Sequence, residues 1–375
     1  MIETTNKSRK YAFLEVTAVW FGTHVGGGFA SGNQTMNFFV STGVHALWAP
    51  LISLLIVGLV FRASMLVAVE NETYGYRDWA KRMYAPSKIM PIFYEICFLL
   101  IAIVGVSTSV AGAASLLQEY GLPYLVGICL AAGVFFILTI FGAGLIRKAS
   151  FAMTIVMAVL MLIVYITGIA ARPEQLVANI TSGEAAPLGT TIYKMLQYAG
   201  YQSAVGATTV AVCKVLRSRR DVNKTFVTGY VLNAGMLFLS VLMLIAWKDV
   251  STGTTLPTLA VIQNLGIGGL VPVYSLVLCL AFISTGTTCA FGFVTRFETI
   301  LTAIKSLTTR RVVLSLGIIV FGTFLSLAGL TKLVMIGYGY TGLLAIPFVI
   351  IPIIVLDIVR GKKLLRPGTE HQEGA

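Results

Sequence analysis

The chain has 375 residues, 57% of them hydrophobic and only 11% charged, with a mean hydropathy of +0.87, which excludes an ordinary soluble domain. Its five cysteines (Cys97, Cys129, Cys213, Cys279, Cys289) are odd in number, lie in apolar stretches and form no CxxC pair, so neither a disulfide framework nor a zinc site is expected. The net charge of +12 would point to nucleic acid in a soluble protein, so its distribution decides its meaning.

The apolar residues come in blocks of about 20 to 28, the length of a helix through roughly 30 Å of hydrocarbon and too long for the strands of a membrane barrel. In chain order ten spans are predicted: 11–40, 45–69, 91–118, 123–144, 150–171, 190–214, 222–247, 270–300, 311–329 and 333–357. The first follows the polar start MIETTNKSRK and carries no small-residue cleavage site, so it reads as a retained span rather than a signal peptide. At its centre stands FGTHVGGGFASG, residues 21–32, with five glycines and a histidine at mid-depth. Between spans 2 and 3, Tyr74, Tyr76, Trp79 and Met83 interleave with Arg77, Lys81 and Arg82, the pattern of a short amphipathic helix lying at the cytoplasmic interface. Residues 256–266, LPTLAVIQNLG, suit a short external helix before span 8, and the tail after Gly361 is polar.

With the N-terminus inside, 21 of the 27 Lys and Arg fall in cytoplasmic segments, which fits ten spans with both termini cytoplasmic in a bacterial inner membrane. The basic excess is a topology signal, so lipid is an expected partner and nucleic acid is not. Ten spans divide into five plus five: a first repeat over 11–171 and a second over 190–357, joined by an external loop 172–189 and flanked by the polar segments 1–10 and 358–375. Span 6 is interrupted as span 1 is, with Gln197, Gly200, Gln202, Ser203 and Gly206 at its centre. Five spans reverse the starting side, so the two halves are inverted, and paired interruptions in inverted halves point to a transporter site.

An unpaired backbone group in hydrocarbon costs several kcal/mol, so a helix opens only toward protein or a water-filled cavity. Gly22, Gly26, Gly27, Gly28 and Gly32 permit positive φ and close approach of a solute. Freed N–H groups near Gly27 to Ala30 suit a carboxylate, and freed carbonyls from Gly22 to Val25 suit a cation. The competing reading is a helix-packing face, since Gly22-x-x-x-Gly26 and Gly28-x-x-x-Gly32 have small-xxx-small spacing.

The stretch Gly22-Thr23-His24-Val25-Gly26-Gly27-Gly28-Phe29 resembles the G-x-x-x-G-x-G-[IF] break of the amino acid, polyamine and organocation transporters. With TAVWFGTHVGGGFASG, YAGYQSAVGATT and ISTGTT, the chain is most similar to the YkvI-type bacterial membrane proteins of that superfamily. The resemblance implies an all-α membrane protein of LeuT-like fold, ten helices in two inverted repeats with helices 1 and 6 discontinuous. It also implies secondary active transport of an amino acid or related zwitterionic or amine solute by alternating access, coupled to Na+. Expected solute contacts are Trp20, Thr23, His24, Gly26, Gly27, Gly28, Phe29, Gln197, Tyr198, Tyr201 and Gln202, with the aromatics as a cation–π wall or as gate and packing residues.

Span 8 carries Ser284-Thr285-Gly286-Thr287-Thr288, whose hydroxyls one turn apart could join carbonyls of Gly22 and Val25 around a sodium ion, or bond their own helix. No lysine lies in FAMTIVMAVLMLIVYITGI of span 5, which favours sodium over the proton coupling of relatives that place one there. His24 leaves proton coupling open as the alternative, alongside a structural role for that residue and a non-transporting solute sensor of the same fold. Glu298 resembles by position the acidic partner of an N-terminal basic residue, Arg9 foremost, in an intracellular gate, though an ordinary interfacial charge has the same pattern. An intramembrane serine protease is not expected, because Ala30 spoils the G-x-S-G spacing around Ser31 and no HExxH occurs. No catalytic residue and no cofactor beyond Na+ is expected, and the oligomeric state stays open, with a monomer sufficient.

Overall fold

Among the residues that the computed structural model describes, 11–141, 143–298, 301 and 303–364, eight helices are long and apolar enough to cross a membrane. They are span 2 (Ala49–Glu70), span 3 (Met90–Glu119), span 4 (Tyr124–Phe141), span 5 (Ala143–Ala171), span 7 (Arg219–Ala246), span 8 (Leu270–Phe297), span 9 (Leu307–Ser326) and span 10 (Leu330–Arg360). Two further segments are apolar but interrupted. Span 1 consists of Ala12–His24, Gly27–Ala30 and Asn33–Phe38, and span 6 of Leu188–Ala204 and Ala207–Val212. Below, the proximal face is the one from which span 1 starts, and the distal face the opposite one.

Helices 5 and 7 begin earlier than their apolar cores, and in span 7 backbone hydrogen bonding continues into the interface, where charged side chains find water. Arg219 and Arg220 thus open span 7, with Ser218 as N-cap accepting from the Asp221 N–H at 3.1 Å. Span 10 is not uniform: Leu333–Tyr338 and Ile346–Ile350 are π-helical turns, the second containing Pro347.

The packing has the symmetry of two inverted repeats. Span 1 packs on span 7 as span 6 packs on span 2; span 1 on span 5 as 6 on 10; span 3 on span 9 as 8 on 4; and span 5 on span 7 as 10 on 2. Spans 2 and 7, and spans 3 and 8, pair with their own counterparts. Exchanging each span for the one five places away maps these principal contacts onto one another. Even the short helices obey it, since Tyr76–Met83 follows span 2 and Pro257–Asn264 follows span 7, each of 8 residues and on opposite faces.

Tyr76–Met83 differs from its sequence expectation. Its apolar side does not rest on lipid; Trp79 and Met83 are fully buried against the protein, and the Trp79 indole N–H donates to the Ser64 carbonyl at 3.0 Å. The same amphipathic pattern serves either surface, and here spans 2 and 3 supply it. Close by, Arg296 of span 8 pairs with Glu95 of span 3 at 2.7 Å and lies over the rings of Phe98 and Tyr76, so its charge is matched while its stem is covered.

Candidate functional site

Span 1 loses its helical ladder at Val25–Gly26. The Gly26 N–H turns back to the His24 carbonyl at 3.1 Å, the Gly27 N–H goes to the Thr285 hydroxyl of span 8 at 3.3 Å, and helical bonding resumes with Ala30 N–H to Gly26 O at 2.9 Å. Four backbone groups are consequently left without a partner among the described residues: the carbonyls of Gly22, Thr23 and Val25, and the N–H of Gly28. Acceptors for a cation and a donor for an anion thus stand within seven residues of each other, on the two sides of the break.

The glycines have a different reason from the one expected. Gly32 alone in this span adopts positive φ, at 81°, where the chain turns into Asn33–Phe38. The others are needed for what lies against them. A Cβ on Gly22 would sit 2.9 Å from the Thr154 hydroxyl of span 5, on Gly26 2.9 Å from the Thr285 hydroxyl, on Gly27 2.2 Å from the Phe282 ring, and on Gly28 2.6 Å from the Gln34 amide. Opening and close packing, the two readings of the sequence, are both present.

His24 is buried and tied at both nitrogens, Nδ1 to the Asn233 carbonyl oxygen of span 7 at 2.8 Å and Nε2 to the Tyr198 hydroxyl of span 6 at 2.7 Å. The Asn233 amide nitrogen donates to the Gly229 carbonyl at 2.7 Å, so its oxygen faces the imidazole and must accept. The neutral ring is therefore protonated on Nδ1 and accepts from Tyr198 on Nε2. Through one side chain, spans 1, 6 and 7 meet at the break.

The other expected contacts divide. Phe29 packs on His24 with ring centroids 4.9 Å apart, and Tyr198 and Tyr201 stand edge to face at 5.1 Å, the latter stacked on Tyr338 of span 10 at 4.7 Å. Thr23 approaches Thr208 of span 6 at 3.4 Å, and Gln202 approaches the Tyr201 hydroxyl at 3.5 Å. Trp20 points elsewhere, into a notch made by Gly58 and Gly229 beside Phe61. Gln197 turns to span 10, where its amide lies 2.8 Å from the place of a Gly339 Cβ.

Of the expected cation ligands, Thr285 reaches the break, and Gly22 and Val25 present bare carbonyls. Thr287 is buried and donates back to the Ile283 carbonyl of its own helix. Thr288 is exposed, one turn nearer the proximal face, and Ser284 is half-buried. Thr154 joins this group, unforeseen because a single threonine in an apolar run carries no spacing signal. Glu298 pairs with Arg311 at 2.6 Å; Arg9 lies outside the described residues.

Accessibility around the break is one-sided. Gly22, Thr23, Gly26, Val205, Thr208, Ser284 and Thr285 are all partly accessible, whereas Ser31 to Thr35 are buried. On that distal side Asn33 donates to the Thr255 carbonyl and the Thr331 hydroxyl, both at 2.9 Å, the Thr258 N–H donates to the Ser31 carbonyl at 3.0 Å, and the Tyr274 hydroxyl donates to the Ala30 carbonyl. Between the two sides the Phe282 ring fills the space between Gly27 and Gly112 of span 3. Residues on either side of the break at Gly22, Thr23, Gly26 and Gly28 are thus partly exposed, while the stretch beyond, Ser31 to Thr35, is closed in by hydrogen bonds. Two surface depressions, of about 430 Å3 at Gln175, Asn179, Lys248, Asp249 and Thr252, and about 570 Å3 along Val313 to Phe324, lie away from the break.

Asn233 and Gln34 are further polar residues of the site that sequence reasoning did not single out. The signal was available for Asn233, a lone amide within the apolar run of span 7, where an unpaired polar side chain is expensive.

No family model and no curated protein matches the sequence. Solved structures do match in fold. The chain is similar to a manganese transporter of Eremococcus coleocola in complex with an aromatic bis-isothiourea substituted compound (16% identity over 92% of this chain and 79% of that one, TM-score 0.54). It is similar to a Na+-coupled sialic acid symporter in a substrate-bound outward-open state (11%, 97% and 99%, 0.53). It is also similar to Mhp1, a nucleobase-cation-symport-1 family transporter, in a closed conformation with bromovinylhydantoin bound (13%, 93% and 91%, 0.52). The chain is an all-helical, multi-pass membrane protein of LeuT-like fold.

Proposed function

We propose that the protein is a secondary active transporter that moves a small zwitterionic or amine solute, of amino-acid type, together with Na+. The observation that carries this reading is the break at Val25–Gly26, where the carbonyls of Gly22, Thr23 and Val25 and the N–H of Gly28 are bare among the described residues, within a stretch of seven. Evolution of a stable membrane helix would not leave such groups uncompensated, because each costs several kcal/mol in hydrocarbon. Carbonyl and hydroxyl oxygens are the ligands a hard monovalent cation prefers; the Thr154 hydroxyl lies against Gly22 and the Thr285 hydroxyl against Gly26, beside the bare carbonyls of Gly22 and Val25, which supports such a site. A solute carboxylate is matched by the Gly28 N–H. Ion and solute sharing one break stabilise each other, and that mutual free energy is the coupling.

One-sided access supports alternating exposure of this centre, with spans 1, 2, 6 and 7 rocking against 3, 4, 8 and 9. The proximal face is then the cytoplasmic one, as the distribution of Lys and Arg demands. Sodium is preferred to protons as the coupling ion because both His24 nitrogens are engaged as struts between helices. The resemblance to YkvI-type proteins supports the same class through the residues of spans 1, 6 and 8.

Uptake of radiolabelled amino acids into proteoliposomes under a Na+ gradient tests the reading. Accumulation that collapses when Na+ is equalised is expected. Replacing Thr285 by Ala should raise the Na+ concentration for half-maximal uptake about tenfold, the worth of one hydrogen-bonding ligand of roughly 1.4 kcal/mol, while Thr288→Ala leaves it within twofold. Uptake indifferent to Na+ but driven by a pH gradient would transfer the coupling to protons, and binding without flux under any gradient would make the protein a sensor.

A further inference from the structure

Gln34 lies beyond the break, in the first turn of Asn33–Phe38, and is 5% exposed. Its side chain does not point to the distal surface. It folds back along span 1 until its amide nitrogen, amide carbon and Cγ lie 2.6, 3.0 and 3.4 Å from where a Gly28 Cβ would be. Its carbonyl oxygen is buried and has no hydrogen-bond partner among the described residues. A buried amide oxygen left without a donor costs about 1 to 3 kcal/mol, and native structures keep few of them without a purpose. The glycine its amide lies against, Gly28, has an N–H that finds no acceptor among the described residues.

We propose that Gln34 is a specificity-determining residue that reads an N–H of the solute. The two orphans are opposite in kind. One asks for a donor and the other for an acceptor, and the Gln34 amide comes against Gly28 because Gly28 has no side chain to keep it away. A solute that satisfies both carries an N–H on one group and an anionic or carbonyl oxygen on a neighbouring one, which a primary or secondary α-amino acid does. A quaternary ammonium has no N–H to give, so it leaves the Gln34 oxygen bare and adds methyl groups where the amide already touches the backbone. The protein therefore discriminates against N-permethylated solutes even though their net charge is unchanged. This assignment rests on the transporter reading above and narrows it to solutes with a free N–H.

Neighbouring polar groups do not supply the missing donor. Asn33 is committed to Thr255, Thr331 and Asn37, Ser31 donates to the Gly28 carbonyl at 2.9 Å, and the Tyr274 hydroxyl donates to the Ala30 carbonyl. Thr258, against Gly32, has its own hydroxyl unpartnered. On the distal side of the break the Gln34 carbonyl oxygen and the Thr258 hydroxyl are thus side-chain polar atoms left without a partner among the described residues.

The test is a thermal-shift titration of the detergent-solubilised protein in Na+ with the common amino acids, followed by the N-mono-, di- and trimethyl derivatives of the best binder. Affinity in the wild type should fall along the series, by about tenfold or more at the trimethyl member, a loss of one charge-assisted hydrogen bond. Gln34→Met, similar in length and without an acceptor, should flatten the series to within threefold; Gln34→Glu, which keeps an acceptor, should preserve its slope. Unliganded thermal unfolding of each variant reports whether it folds, and if Gln34→Met does not, the slopes of the wild type and Gln34→Glu decide. A flat wild-type series, or a slope unchanged in Gln34→Met, overturns the role of Gln34 and leaves the transporter reading standing. Failure of every amino acid to bind overturns the solute class and this assignment together.

Discussion

Val25–Gly26 and Val205–Gly206 hold corresponding places in the two inverted halves, and the chain treats them differently. At the first, the backbone passes through an extended residue, with Gly26 at φ −91° and ψ −178°, and four polar groups go bare. At the second, Val205 and Gly206 keep right-handed turn geometry, and the carbonyls of Ser203, Val205 and Gly206 accept from N–H groups three residues on, at 3.0 to 3.1 Å, which leaves the carbonyls of Tyr201, Gln202 and Ala204 without a partner among the described residues. The N–H that restarts the helix, Ala207, is taken by the Tyr94 hydroxyl of span 3 at 3.0 Å. Both breaks leave carbonyls without partners among the described residues, but only the first leaves an N–H, that of Gly28. Sequence symmetry therefore locates two bends but does not distribute the polar groups equally: both bring acceptors, and only span 1 brings a backbone donor.

The comparison can be broken or sharpened by substitution, and the largest effect is expected where the two breaks touch. His24→Ala removes the partner of both the Asn233 oxygen and the Tyr198 hydroxyl, each buried, at about 1 to 3 kcal/mol apiece. Thermal unfolding should show a marked loss of stability, with His24→Gln recovering part of it by offering a donor and an acceptor; an unchanged midpoint would mean that the two breaks are not mechanically joined.

Next in size is the contrast between Gly27→Ala and Gly206→Ala. The first puts a methyl 2.2 Å from the Phe282 ring, and overpacking of that kind costs about 1 to 3 kcal/mol, up to roughly 100-fold in affinity if it falls on the bound state. The second meets nothing nearer than 3.1 Å and should stay within a few-fold in the same uptake assay. Equal effects would erase the asymmetry.

Smaller again, Tyr94→Phe bares the Ala207 N–H and should lower stability by about 1 kcal/mol without altering solute affinity. If affinity changes instead, the inner half of span 6 belongs to the binding centre after all.

The smallest effect concerns the distal loops, where Lys248 beside Glu184 at 2.6 Å holds that carboxyl below its ordinary range. A depressed carboxyl contributes stability above its unfolded value and loses it as pH falls through the folded one. Unfolding midpoints of wild type and Glu184→Gln should differ slightly at pH 7 and coincide in strong acid. A difference that grows toward acid would contradict the sign.

Much of the architecture was legible from residues alone. Ten apolar blocks, their alternation of Lys and Arg, and the two glycine-marked interruptions are local signals, and the membrane makes each of them costly to mimic by chance. Site detail was less so, because it depends on residues far apart in the chain. That Gly27 must be small follows from Phe282, and that Gly28 must be small follows from a side chain folding back on it, neither of which spacing reveals. Trp20 shows the same limit from the other side: an aromatic next to the break looked like a wall of the site, while Gly58 and Gly229, on spans 2 and 7, had hollowed a place for it elsewhere. Residues 71–88 were read correctly as amphipathic but given the wrong covering surface, since periodicity marks an apolar face without naming what lies on it.

At the distal end, the loop after span 1 and the loop before span 6 are laced together. The Val44 N–H donates to the Glu184 carbonyl at 2.9 Å and the Ala186 N–H to the Thr42 carbonyl at 3.2 Å, while Lys194 reaches the Asn37 carbonyl at 3.0 Å and the Ser41 hydroxyl at 2.8 Å. Two half-helices from opposite repeats thereby share a single rim. Whatever tilts one must tilt the other, so at that face the two half-helices move as a pair of leaves on common stitching rather than each alone.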